Sequence, residues 1–208
     1  MTGDDRPIVR EAYDRLGEEY LSKRPADGED VAFLDHFTER LDDGARVLDA
    51  GCGPGDPVTR LLAERFEVVG VDFSGEQLRL AREQVPEAEF VRQDLTHLGF
   101  ADESFDGIVS YYALIHVPRE NDRAVLSAIH RLLNPSGVAL LCLGASGRAE
   151  IRGDEFMDSG VELYWSTHDE ETYRNMLAAV GFEVVLAERV ADSLNPESDH
   201  LFVLVRKT

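Results

Sequence analysis

The sequence predicts an α/β fold: a three-layer sandwich around a mainly parallel seven-stranded sheet with one antiparallel strand near the edge. Three observations carry this. Beyond Arg46, short apolar runs alternate with amphipathic segments, the pattern of a parallel sheet covered by helices on both faces. A glycine-rich turn, residues 51–55, joins the first apolar run to the helix that follows it. The last two apolar runs are separated only by loop residues, a connection that suits an antiparallel pair and is too short for a parallel crossover.

The elements follow in order. Residues 8–21 form a helix with Ile8, Ala12, Leu16 and Tyr20 on one face, and residues 29–41 a second, with Val31, Leu34, Phe37, Thr38 and Leu41 inward and Gly44 beyond its end. Residues 46–50 are a buried strand, and 57–66 a helix burying Val58, Leu61, Leu62 and Phe66. Strand 68–72 and helix 75–85 come next, then strands 89–94 and 105–111. Helix 121–133 stops at Asn134-Pro135, before strand 138–143. Thr167 or Asp169 caps a helix that ends at Val180, with Gly181 as its C-terminal stop. Residues 182–190 and 200–207 form the antiparallel pair.

The charge restricts the partners. The chain has 208 residues, 41 acidic against 21 basic, for a net charge of −20. Such a surface repels phosphate backbones and anionic bilayers, so neither nucleic acid nor a membrane is an expected partner. Only Lys23 and Lys207 are lysines, and the acids are spread along the whole chain. That usage resembles proteins of salt-loving organisms; an acidic mesophile protein with GC-rich codon usage is the alternative. No apolar run reaches the ~20 residues of a membrane span, and the N-terminus lacks an apolar leader core, so the expectation is a cytoplasmic protein, monomeric or homodimeric. Cys52 and Cys142 stand apart, without a Cys-x-x-Cys or Cys/His cluster, so neither a metal site nor a disulfide is expected.

The chemistry concentrates around VLDAGCGPG, residues 47–55. Glycines at a strand's C-terminal end tolerate positive φ and let a ligand approach the backbone. Asp72 follows Gly51 by 21 residues, close to the ~20-residue spacing of a carboxylate that binds a ribose diol. Asp94 ends the third strand on the same rim, and Asp49 precedes the glycines. Three carboxylates there suit a cationic ligand rich in donors better than a pyrophosphate.

These motifs resemble those of the class I S-adenosylmethionine-dependent methyltransferases. VLDAGCGPG, VVGVDFS, VRQDL, FDGIVSYYALIHV and LLNPSGVALL correspond to the family's successive motifs, and YDRLGEEY resembles the N-terminal helix whose tyrosines close over the cofactor in small-molecule methyltransferases. The resemblance implies a Rossmann-like core over 46–208, an N-terminal helical cap over 1–45, and an acceptor-covering insertion at 145–168. It implies S-adenosylmethionine as cofactor. Gly51, Cys52 and Gly53 would face its methionine part, with Asp49 orienting the ammonium and Tyr20 and Tyr111 alongside. Asp72 would hold the ribose hydroxyls, Phe73 and Leu78 would pack on the adenine, and Asp94 would accept from its amino group beside Leu95. An NAD-dependent oxidoreductase shares the turn and the acid, but its fingerprint is G-x-G-x-x-G/A and this turn reads G-x-G-x-G. A cofactor-binding module without transfer activity is the other alternative.

For the acceptor, the family's N/D-P-P-Y/F signature of nucleobase and glutamine methylation is replaced by Ser110-Tyr111-Tyr112-Ala113. A small-molecule acceptor is therefore expected. His116 is the candidate base near the fourth strand, with packing as the alternative role. Tyr112, His116, Tyr164 and Trp165 are the expected acceptor wall, with Glu155 and Glu162 nearby to tolerate a cationic amine.

Overall fold

The computed structural model describes residues 5–144, 146–147, 151–154, 156–195 and 198–208. Its seven-stranded sheet has the order β3-β2-β1-β4-β5-β9-β8. These are β1 (Arg46–Ala50), β2 (Glu67–Asp72), β3 (Glu89–Arg92), β4 (Phe105–Ser110), β5 (Leu133–Gly144), β8 (Phe182–Ala191) and β9 (Asp199–Lys207). β9 alone runs antiparallel, to β5 on one side and β8 on the other. Strand order reverses between β1 and β4, the crevice where open α/β sheets bind ligands.

The central strands are apolar on both faces because each face carries a helical layer. Leu48, Ile108, Ala139 and Leu141 belong to one core with α6 (Arg119–Leu132) and α7 (Glu170–Val180). Their neighbours Val47, Val109, Leu140 and Cys142 face the other core, with α3 (Leu34–Thr38) and α4 (Val58–Ala63). Between β2 and β3 runs α5 (Gly75–Gln84), whose cap Ser74 accepts from the Gln77 N–H. Asp169, rather than Thr167, caps α7 by accepting from Thr172 N–H. Both cysteines are buried and free, and among the described residues no helix is long and apolar enough to cross a membrane.

Three sequence expectations are corrected. The helix at 29–41 is two short ones, α2 (Glu29–Ala32) and α3, because Phe33 turns inward between them and Asp30 is drawn into the interior. β5 begins at Leu133, directly after α6, because Leu133 already pairs with Phe105 of β4. The insertion expected at 145–168, to which no strand was assigned from sequence, contains a hairpin, β6 (Ile151–Gly153) paired with β7 (Leu163–Trp165).

The first helix, α1 (Arg6–Lys23), lies over this hairpin, and Val9, Ala12 and Leu16 pack on Val161, Leu163 and Tyr164. Gly17 breaks the helical path with φ 25° and ψ −110°. Tyr13 and Tyr20, seven residues apart, would be separated by ~10 Å of rise in a straight helix. Across the break their ring centroids stand 5.4 Å apart, edge to face.

Candidate functional site

The glycine turn is anchored on three sides. Gly51 N–H and Cys52 N–H both donate to the Val71 carbonyl, at 2.8 and 2.9 Å. Ser110 Oγ donates to Ala50 O at 2.7 Å, and Gly53 N–H to Asp72 Oδ2 at 3.0 Å. Gly51 has φ 85°, and a Cβ there would come within 2.1 Å of the Ala113 Cβ, so glycine is required both by conformation and by close approach.

Beside this turn lies a cavity lined by Tyr20, Gly51, Gly53, Asp72, Phe73, Asp94, Leu95, Tyr111, Tyr112 and His116 among the residues expected from sequence. Tyr13, the first tyrosine of YDRLGEEY, also lines it, as do Arg6 and Ala113, which sequence reasoning did not assign. Leu78 does not: it is buried in the core, on the inward face of α5. Asp49 and Cys52 border a narrower space behind the turn, together with Tyr20 and Arg24.

The carboxylates differ in their engagement. Asp72 Oδ1 accepts from Ser74 N–H at 2.8 Å, so each of its oxygens holds one backbone donor and keeps capacity for another. Burial raises its pKa to about 6 against the pull of these N–H groups. Asp49 accepts from Thr59 Oγ1 at 2.6 Å, and burial pushes it up to about 7. Asp94 caps the turn Leu95–His97 by accepting from Thr96, while its other oxygen meets Arg6 Nη1 at 3.1 Å. Burial also drives the Cys52 thiol well above its ordinary range, leaving it without thiolate chemistry.

His116 is held at both nitrogens. Nδ1 donates to the Tyr164 carbonyl at 2.6 Å, which fixes the tautomer, and Nε2 accepts from the Tyr13 hydroxyl at 3.0 Å. Burial lowers its pKa to about 4. Of the two roles expected for His116, base or packing, this geometry favours packing: a neutral imidazole with both nitrogens engaged is a strut between α1 and β7.

A second cavity of about 470 Å³ opens on the far side of this strut. Tyr13, Tyr20, Tyr112 and His116 line both cavities and form the partition between them. Trp165 and Phe156 line only the second, where Asp192 and His200 also lie. Tyr164 is excluded, and its expected place in an acceptor wall is corrected. Successive strand residues face opposite sides, so Trp165 reaches the cavity while Tyr164, 1% exposed, packs beneath α1. Glu162 is exposed and does not line this cavity; Glu155 lies outside the described residues.

The floor of the partition is a buried ion pair absent from the sequence expectations. Asp30 Oδ2 accepts from Arg24 Nη2 at 2.7 Å, Tyr112 Oη at 2.9 Å and Ser193 Oγ at 3.3 Å, while Tyr111 Oη donates to the Asp30 carbonyl. No periodicity announces it, because a charged residue on a short helix reads as surface. YDRLGEEY was the one signal for Tyr13.

The donor set fits the expected cofactor. A glycine cradle, a carboxylate with spare acceptor capacity on the neighbouring strand, and acids whose pKa values a cation would restore match a cationic nucleoside bearing a diol. Comparison with known proteins agrees. A family model described as "Methyltransferase domain" matches residues 47–137. The putative methyltransferase YqeM of Bacillus subtilis is 24% identical over 97% of this chain and 98% of its own. A trans-aconitate 2-methyltransferase of Variovorax paradoxus is 40% identical over 47% of this chain, but only 38% of that protein is spanned. Among solved structures, the 1,6-didemethyltoxoflavin-N1-methyltransferase of Burkholderia thailandensis, with bound S-adenosylhomocysteine, superposes with a TM-score of 0.76 at 22% identity, covering 100% of this chain and 92% of that one. Magnesium protoporphyrin IX methyltransferase of Synechocystis, with bound S-adenosylmethionine, gives 0.75 at 20% identity, covering 100% and 99%. Residues 47–137 thus carry a methyltransferase domain, and the whole chain, with its glycine cradle and strand order, shares the fold of S-adenosylmethionine-dependent methyltransferases.

Proposed function

We propose that the chain transfers the methyl group of S-adenosylmethionine to a small molecule held in the second cavity. The observation that supports this is the shared partition: two cavities, one on the glycine turn and one beyond it, meet at Tyr13, Tyr20, Tyr112 and His116. A methyl donor in the first and an acceptor in the second would face each other there. The sulfonium supplies an activated methyl group. What remains for the protein is alignment and exclusion of water, for which proximity can supply ~7–11 kcal/mol.

In this reading Asp72 binds the ribose hydroxyls, and Phe73 and Leu95 flank the adenine beside Asp94. The turn at Gly51–Gly53, with Asp49 behind it and Tyr20 and Tyr111 alongside, receives the methionine part. Residues 1–45 act as a cap and 145–168 as the acceptor cover. The net charge of −20 argues against a nucleic-acid acceptor.

Calorimetric titration with S-adenosylhomocysteine tests the cofactor site. Asp72→Ala removes two charge-assisted hydrogen bonds to the ligand at ~1.5–3 kcal/mol each, so affinity falls by at least ~100-fold. Affinity within about twofold of the parent, well inside the tenfold that 1.4 kcal/mol represents, removes Asp72 from the ribose. An untargeted metabolite screen for cofactor-dependent gain of one methyl group tests the transfer itself.

A further inference from the structure

Five aromatic rings close a circuit at the partition. Tyr13 meets Tyr20 at 5.4 Å between centroids, Tyr20 meets Phe156 at 6.4 Å, and Phe156 meets Trp165 at 6.1 Å. Trp165 meets His116 at 6.0 Å, and His116 returns to Tyr13 at 5.5 Å. All five line the second cavity, and three of them also line the first. Laid flat, a circuit with these sides would hold every centroid about 5 Å from its centre, inside the ~6 Å over which a ring face attracts a cation.

The charges nearby have the matching sign. Among the described residues, Arg24 is the only lysine or arginine lining the second cavity. Its guanidinium is bound to Asp30 at 2.7 Å and lies 4.4 Å from the Tyr112 ring centroid, so it is not offered to a ligand. His116 has both nitrogens engaged. Asp192 and Asp199 line the cavity as carboxylates. Asp192 is paired with His200 at 3.1 Å and Asp199 with Arg189 at 3.3 Å, so the described lining offers an anionic acceptor no unpaired lysine or arginine, and it is the rings that favour a cationic one.

We propose that this circuit is an aromatic cage for an amine acceptor, and that the chain is an N-methyltransferase. The inference rests on the methyl-transfer reading above and adds the class of substrate. An unprotonated amine nitrogen donates its lone pair to the methyl carbon, and the C–N bond forms as the C–S bond breaks. The C–S electron pair stays on sulfur, which becomes a neutral thioether, and the positive charge passes to the product ammonium. The reacting pair therefore carries one positive charge throughout, and transfer moves it from the sulfonium in the first cavity to the ammonium inside the cage. An amine that arrives protonated releases that proton to water before its lone pair can attack, and a secondary amine releases a further proton to water afterwards.

Trp165 is the only tryptophan in the chain, so its fluorescence reports on the cage. Choline and its uncharged isostere 3,3-dimethylbutan-1-ol are titrated at constant ionic strength, with and without S-adenosylhomocysteine, with benzoate as the anionic control. The expected result is saturable quenching by choline at an affinity at least ~10-fold above the alcohol's, the scale of several cation–π contacts, with benzoate weaker than both. Phe156→Leu should reduce that ratio below about threefold, and Phe156→Tyr should preserve it. Phe156 does not line the first cavity, so S-adenosylhomocysteine affinity should stay unchanged in both variants. Equal binding of choline and the alcohol, tighter binding of benzoate, or no saturable quenching by choline overturns the cage. Failure to bind S-adenosylhomocysteine overturns the methyl-transfer reading instead, and the choline ratio is still read without it.

Discussion

Asp30→Ala should be the most damaging single substitution outside the sheet. Asp30 is fully buried, and its carboxylate gathers Arg24, Tyr112 and Ser193. Arg24 keeps only 4% of its side-chain surface, so removing Asp30 leaves a largely buried guanidinium without its carboxylate. Breaking a buried pair from one side costs ~3–5 kcal/mol. For a domain of this size each kcal/mol moves the melting temperature by ~2–4 °C, so the drop should be roughly 6–20 °C. Removing both charges, as in Arg24→Met with Asp30→Leu, should recover most of it, because the pair's own desolvation cost offsets much of its attraction. Melting is followed by circular dichroism at several scan rates. The function should suffer as well, since Tyr111 and Tyr112 hang from Asp30 and line the cofactor cavity. A single variant melting within about 2 °C of the parent, less than 1 kcal/mol on that scale, refutes the reasoning. So does a double variant as unstable as the single one.

Three further outcomes are expected. Burial raises Asp49 to about 7 and Asp122 to about 8, so the folded state holds protons that the unfolded chain has released. Stability should therefore fall as pH rises from about 6.5 to 8, above the range in which the buried His116 matters; Asp122→Asn should flatten the slope, and melts across that interval read it. Gly17→Ala forces a side chain into φ 25° with its Cβ 3.2 Å from Glu76 Cγ. It should cost ~1–3 kcal/mol and separate Tyr13 from Tyr20, which urea melts and the choline titration of Trp165 would each detect. The charge of −20 predicts stability that keeps rising above ~1 M KCl, where the Debye length is already ~3 Å; a melting temperature independent of salt rejects halophilic adaptation.

The division between sequence and structure follows the range of the forces involved. Alternation of apolar runs, the glycine turn and the cap of α7 are encoded within a few residues of where they act, and so could be read along the chain. The same holds for Gly51 and Asp72: a strand end and a tight turn fix where their atoms lie once the sheet order is known. The failures are non-local. Helix 29–41 breaks because Asp30 is claimed by Arg24, Tyr112 and Ser193, the last of them 163 residues away. Tyr164 and Trp165 are equivalent as letters, and only the pairing of β7 with β6 sends one into the core and the other to the cavity. His116 carries a base's chemistry in its ring, but the Tyr13 hydroxyl and the Tyr164 carbonyl, reached from opposite directions in sequence, take both nitrogens. The aromatic circuit assembles residues 13, 20, 116, 156 and 165 from three separate segments. Sequence alone determined the sheet and the glycine loop, because hydrophobic period and turn chemistry are local. The acceptor side was decided by tertiary packing, because a cavity is defined by which distant side chains come to face one another.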